Sequence, residues 1–284
     1  MDGAPEDGTH HIAVAVALRA GDDPELVADG LFLLGATAVL ERSAPDGGVE
    51  LVAELPADIV DGLPTGARVL GPAEDGSSWV APPTLVRCGR RLVVRATQAD
   101  DGPDEDEDED DPSGPDDVVV QVEAGQAFGT GSHASTRLCL ELLEPLAPSA
   151  MRVLDVGCGT GVLGVASLLL GAGTVRAIDI DPVAVRAAAA AAARNGVAER
   201  VMVDDTPLSA IDERYDLVLA NLLAPILESL GPDLVDRLSP GASLVVGGVL
   251  EGQLDRVAAA LPPLRLERTA RDEDWVAAIF RPPS

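Results

Sequence analysis

Residues 152–161, RVLDVGCGTG, decide the fold. Val153, Leu154 and Val156 read as a short buried strand that breaks into a turn with glycine at 157, 159 and 161. The apolar-periodic run VLGVASLLL (162–170) follows and reads as a helix. Glycine at alternate positions removes the Cβ atoms that would hold a ligand away from the backbone amides. The amino-terminal end of the next helix points its positive dipole at the same spot. Asp155 sits at the strand end, where a carboxylate can accept hydrogen bonds from loop amides or from a ligand. Strand, glycine turn and helix together make a nucleotide-type cofactor site.

Two frames fit these glycines. Gly159-x-Gly161-x-x-Gly164, with Asp179 twenty residues beyond Gly159, matches the dinucleotide fingerprint in form. Asp155-x-Gly157-x-Gly159-x-Gly161 looks like the S-adenosylmethionine site of class I methyltransferases. A dinucleotide fingerprint should begin where the strand ends, and here the strand and its acid lead into Gly157. S-adenosylmethionine carries no pyrophosphate, so an acid beside the turn is tolerable. The frame therefore favours the methyl donor.

Composition narrows the partners. The chain has 284 residues, enough for one large domain or two modest ones, and 46% of them are hydrophobic. Aromatic residues make up only 2%, so the core must be built of Val, Leu, Ala and Ile. No apolar run is long enough to span a membrane, and the acidic start MDGAPEDGTHH does not read as a secretory signal. Cysteines 88, 139 and 158 show no metal-ligand spacing, so no metal is expected and free thiols in a cytoplasm are the simplest reading. The net charge of −28 disfavours direct binding to a phosphate backbone and suits a basic protein partner or a small molecule. All twenty basic residues are Arg, and Asn occurs only at 195 and 221. This bias reflects a GC-rich genome better than a function.

The first third of the chain reads as a small α+β unit. Strands are expected at 12–18, 37–42, 48–55 and 67–70, with a helix over 25–36 and a short one near 57–62. The order is roughly ferredoxin-like. His10 and His11 read as solvated tail residues. LVRCGRRLVVR (85–95) is a hairpin-like stretch with four Arg, whose charge can be balanced by the acidic run DDGPDEDEDEDDPSGPDD at 100–117. That run has no apolar anchor and repels itself, so disorder is expected.

From residue 118 onward strands and helices alternate. VVVQVE (118–123) opens this half. Asp179 closes the strand TVRAI, where an acid can accept bonds from both ribose hydroxyls. Asp181-Pro182 reads as the cap and first residue of the helix VAVRAAAAAAAR, and Asn195-Gly196 as its end. Asp204 or Asp205, after the next strand, is placed to meet an adenine amino group, or is simply a solvated turn acid. Asn221 ends the strand YDLVLAN, at the edge where open α/β sheets bind ligands. The alternation argues a doubly wound, Rossmann-like, seven-stranded mixed sheet with helices on both faces.

The second strong signal is QAFGTGSHAST (126–136). It is a flexible loop with an aromatic residue and several hydroxyls, running into the helix TRLCLELL. Ser135 or Thr136 either caps that helix or reaches a ligand carboxylate; His133 reads as a loop histidine. Together with DVGCGTGVLGVA, AIDIDP and NLLAPI, this loop resembles the ribosomal protein L11 methyltransferase family over residues 118–284. The resemblance implies S-adenosylmethionine as cofactor and amino groups of a large-subunit ribosomal protein as acceptor. It puts Thr136, Gly157, Asp179 and Asn221 on cofactor contacts and makes Phe128 to Gly131 a loop that closes over the cofactor. Phe128, Gly129, Asp155 and Gly159 complete the expected cofactor set, and Asn221 is also the candidate catalytic residue. The implied layout is a substrate-recognition domain at 1–97, an acidic linker at 98–117 and the methyltransferase domain at 118–284. The family's tryptophan-rich connection is reduced here to Trp79 and the acidic run.

Methyl transfer to an amine needs alignment and a neutral nitrogen more than it needs a general base. Desolvation lowers an amine pKa, and the Asn221 carbonyl can orient its lone pair. NLLA differs from the Asn-Pro-Pro-aromatic motif of many nucleic-acid amine methyltransferases, which argues against a base substrate. Two alternatives stay open: transfer to another protein or a small-molecule amine, and a cofactor-binding module without turnover.

Overall fold

A computed structural model describes residues 11–19, 27, 30–31, 34, 36, 38–43, 48–57, 59, 63–64, 66–72, 84–97, 113–123, 129, 131, 133–146 and 149–283. The chain divides into two compact units, Met1–Ala81 and Pro82–Ser284.

The first unit holds β1 (His11–Ala17), β2 (Ala38–Ser43), β3 (Val49–Pro56) and β4 (Ala67–Pro72). Their order is β2-β3-β1-β4, antiparallel throughout. This is the strand order of a ferredoxin-like split βαβ unit. Val14 and Val16 of β1 pack with Leu51, Ala53 and Leu55 of β3 and with Leu31. The helix expected at 25–36 falls mostly outside the described residues, although Val27, Gly30 and Leu31 are helical.

In the second unit β5 (Thr84–Arg87), β6 (Leu92–Thr97) and β7 (Val118–Glu123) form a three-stranded sheet. β5 and β6 are the antiparallel hairpin expected from the sequence, and β7 joins β6 in parallel. Residues 84–97, grouped with the first domain by sequence, are thus paired across the acidic run with the second unit. Arg87 holds Asp117, the last acid of that run, through two hydrogen bonds of 2.9 and 2.6 Å. Residues 98–112 lie outside the described residues.

The main sheet has seven strands in the order β10-β9-β8-β11-β12-β14-β13. They are β8 (Arg152–Val156), β9 (Thr174–Ile178), β10 (Val201–Asp204), β11 (Tyr215–Asn221), β12 (Leu238–Leu250), β13 (Arg265–Asp272) and β14 (Trp275–Arg281). The first five are mutually parallel; β14 runs antiparallel to β12 and to β13. The helices are α1 (Ala134–Leu143), α2 (Val162–Leu169), α3 (Pro182–Arg194), α4 (Ala224–Asp236) and α5 (Leu254–Ala259). Side chains of a strand alternate between faces. Leu154, Val156, Val218, Ala220, Leu244 and Val246 pack with Leu227 and Leu234 of α4 and Val257 of α5. Asp155 points the other way, toward α2, so the sheet is covered on both faces. This is the doubly wound α/β fold expected from the alternation.

α3 shows how the sequence sets an element. The Asp181 side chain accepts from Val183 N at 2.7 Å, Pro182 takes a first position that needs no donor, and Asn195-Gly196 ends the helix with Gly196 at φ 66°. Asn195 then does more than cap. Its amide accepts from Gln121 N at 2.9 Å and donates to Gln121 O at 2.6 Å, tying the free edge of β7 to α3.

Candidate active site

β8 lies between β9 and β11, and the chain moves away on one side through β9 and β10 before returning to the other at β11. The carboxyl ends of β8 and β11 therefore flank a topological switch point, where open α/β sheets place their ligands. Register aligns Val156 with Ile178 on one side and with Ala220 on the other. The next residues, Asp179, Gly157 and Asn221, accordingly form a row across the carboxyl edge.

The turn is held tightly. Gly157, Gly159 and Gly161 have φ of 66°, 54° and 77°, in the left-handed region that costs a side-chain-bearing residue about 1–2 kcal/mol. A Cβ on Gly157 would collide with Leu222, and one on Gly161 would lie 2.9 Å from Ala188 Cβ. β8 ends at Val156 and Gly164 lies inside α2, so the first glycine beyond the strand is Gly157. This is the frame that favoured the methyl donor.

Asp179 accepts from Gly159 N through Oδ2 and from Asp181 N through Oδ1, both at 3.0 Å. These bonds aim its carboxylate along the mouth of the turn. Ile180 beside it is 92% exposed, a large apolar surface next to the strand-end acid. Sequence reading passed over it, although an apolar residue directly after a strand-end acid was a signal available there.

Asp155 is placed differently from its neighbours. It is 1% exposed, behind the turn, and accepts from Gly164 N at 2.9 Å. Burial, reinforced by the negative charge of Asp179, pushes its carboxyl up to about 7 against the opposing pull of the Gly164 amide. It shapes the turn from beneath. Asp204 is also engaged: Arg176 and Thr206 occupy its carboxylate. Burial raises its pKa, but the Thr206 and Arg176 bonds outweigh that and hold it below the usual carboxylate range. Asp205, the other candidate, is exposed.

Asn221 Nδ2 donates to Thr136 Oγ at 3.3 Å, and Thr136 is fully buried at the start of α1. Asn221 Oδ1 is buried and has no donor among the described residues. A Cβ on the adjacent Gly247 would come within 2.7 Å of it. Neither Ser135 nor Thr136 caps α1. His133 does, its Nδ1 accepting from Ser135 N at 3.1 Å while its ring meets Trp275 edge-on at 4.8 Å. Gly129 is buried against the glycine turn and its carbonyl accepts from Thr160 Oγ at 2.8 Å. Phe128, Thr130 and Ser132 lie outside the described residues. The three cysteines are free and buried; burial raises all three thiols, Cys88 to about 11.

The unit that carries this row is similar to known proteins. The family model described as ribosomal protein L11 methyltransferase (PrmA) matches residues 83–282. The chain belongs to this family. Its match begins at β5, upstream of the acidic run, as the strand pairing does. A ribosomal protein L11 methyltransferase of Pelobacter propionicus is 42% identical over 212 residues, covering 72% of this chain and 65% of that protein. Another, from Symbiobacterium thermophilum, is 35% identical over 268 residues, covering 92% and 83%. The chain thus spans just under two thirds of the first relative's length and more of the second's. Among solved structures, a ribosomal protein L11 methylase from Lactobacillus delbrueckii subsp. bulgaricus is 28% identical, with a TM-score of 0.61 over 70% of this chain and 99% of that one.

Proposed function

We propose that the chain is an S-adenosylmethionine-dependent protein N-methyltransferase acting on lysine or amino-terminal amines of a large-subunit ribosomal protein, in the cytoplasm. The relatives are named for ribosomal protein L11, which is the acceptor we assign. The observation that carries the chemistry is Asn221 Oδ1, a buried acceptor without a donor at the carboxyl edge of the sheet. Buried polar groups are normally paired with protein, ordered water or a ligand, and a ligand at this edge would complete Asn221.

The residues present fit the cofactor. Three positive-φ glycines shape a turn whose backbone carries no Cβ atoms toward a ligand, and Asp179 offers carboxylate oxygens beside it. When bound, S-adenosylmethionine supplies an activated methyl group on a sulfonium. Asp179 would bind the ribose hydroxyls, Gly157 and Gly159 would let the backbone approach, and exposed Ile180 would cover an apolar face. Phe128 and Gly129, with Thr136 behind Asn221, would close the opposite side. Asp155 supports the turn through Gly164. Asn221 Oδ1 would accept an N–H of the incoming amine and so orient its lone pair. Apolar surroundings disfavour the ammonium form, so the amine arrives neutral.

Calorimetry of the full chain with S-adenosylmethionine, S-adenosylhomocysteine and a nicotinamide dinucleotide tests the cofactor. Binding of the first two alone is expected. Binding only of the dinucleotide would overturn the proposal.

Among the described residues no helix is long and apolar enough to cross a membrane. With a net charge of −28, we assign a basic protein as partner and no direct nucleic-acid contact.

A further inference from the structure

We infer that Thr160 is a positioning residue whose hydroxyl fixes the Gly129 main chain against the glycine turn. The inference rests on reading that turn as the cofactor site. Thr160 is 1% exposed, and its Oγ donates to the Gly129 carbonyl across 31 residues of sequence at 2.8 Å. Gly129 has φ 109°, and a Cβ there would sit 2.8 Å from that same oxygen. The contact thus requires a hydroxyl at 160 and no side chain at 129. Two residues on, Gly131 (φ 83°) lies so close to Val94 of β6 that a Cβ would come within 2.8 Å of it. Gly129 is thus bonded to the turn, and Gly131 lies against the smaller sheet.

Thr160 lies between Gly159, which is bonded to Asp179, and Gly161, which opens α2. One side chain thus joins the two stretches that stood out in the sequence, FGTGSH and DVGCGTG. A bond to a main-chain carbonyl fixes backbone position, whatever side chains the loop carries. Valine has the shape of threonine but would leave a buried carbonyl without its donor. Asn221 is held separately, by Thr136. Loss of the Thr160 hydroxyl should therefore weaken cofactor binding and leave the methyl-transfer step largely intact.

The test uses the full chain with Thr160→Val, Thr160→Ser, Gly129→Ala and the Gly129→Ala/Thr160→Val double variant. S-adenosylhomocysteine binding is measured by calorimetry, and KM and kcat by methyl transfer to purified ribosomal proteins. Thr160→Val should weaken binding and raise KM by about tenfold, with kcat within about threefold. Thr160→Ser should stay within about twofold of the unaltered chain. The double variant should bind no more weakly than the worse single one, because both changes break the same contact. Unchanged binding in Thr160→Val, a Thr160→Ser variant as weak as Thr160→Val, or multiplicative losses in the double variant would each overturn the inference. If the unaltered chain fails to bind S-adenosylhomocysteine, the cofactor reading falls and takes this inference with it.

Discussion

Asp179 holds the turn through two backbone amides and is half-buried at the carboxyl end of β9. Asp179→Ala should weaken S-adenosylmethionine binding at least tenfold, since hydrogen bonds to a charged group are worth about 1.5–3 kcal/mol. Calorimetry on a variant shown by circular dichroism to be folded measures this; unchanged affinity would remove Asp179 from the site. Asn221→Ala should behave oppositely, cutting kcat by about tenfold or more while affinity moves less than about threefold. Alignment of nitrogen and methyl matters chiefly in the transition state. A loss confined to binding would make Asn221 a cofactor contact alone. Asp155 titrates near pH 7 when folded, above its ordinary range. The folded state therefore favours the protonated acid. That contribution is complete below the ordinary carboxylate pKa and is lost as pH rises through about 7. In urea unfolding, Asp155→Asn should flatten the fall in stability between pH 5 and pH 8; identical slopes would contradict this. The strand-end positions of Asp179 and Asn221 were legible because strand ends can be read from apolar runs. The inward turn of Asp155 was not, since a strand buried on both faces shows no alternation. Thr160's bond to Gly129 was equally hidden, because sequence does not show contacts 31 residues apart.

Among elements, the seven strands and their helices were legible because each apolar segment is bounded by glycine, proline or an acid. The second partner of β6 was not. Its parallel pairing with β7 spans the acidic run, and periodicity carries no record of which distant strand completes a sheet. The boundary therefore looks, in sequence, as if it lay within that run, while the contacts divide after Ala81. This sharpens one expectation. Asp117 belongs to the folded unit, since Arg87 holds its carboxyl down at about 2 and Gly114 N donates to it. Deleting residues 100–112 and rejoining with a short Gly-Ser link should leave S-adenosylmethionine affinity unchanged. A large loss by calorimetry would make the acidic run part of the site.

For the whole molecule, charge and chemistry combine. If the chain methylates a basic acceptor as proposed, its net charge of −28 draws that acceptor in, and the methylation rate should fall as salt shortens the Debye length from about 10 Å at 0.1 M to about 3 Å at 1 M. The rate should rise with pH as the acceptor amine loses its proton. A rate indifferent to both would mean that the acceptor is neither basic nor an amine. The most direct measurement is transfer of tritiated methyl from S-adenosylmethionine to purified large-subunit ribosomal proteins, with the same proteins chemically acetylated as control. Label should appear in one basic protein and vanish on acetylation. Label that survives acetylation, or that appears only in RNA, would contradict an amine-directed protein methyltransferase.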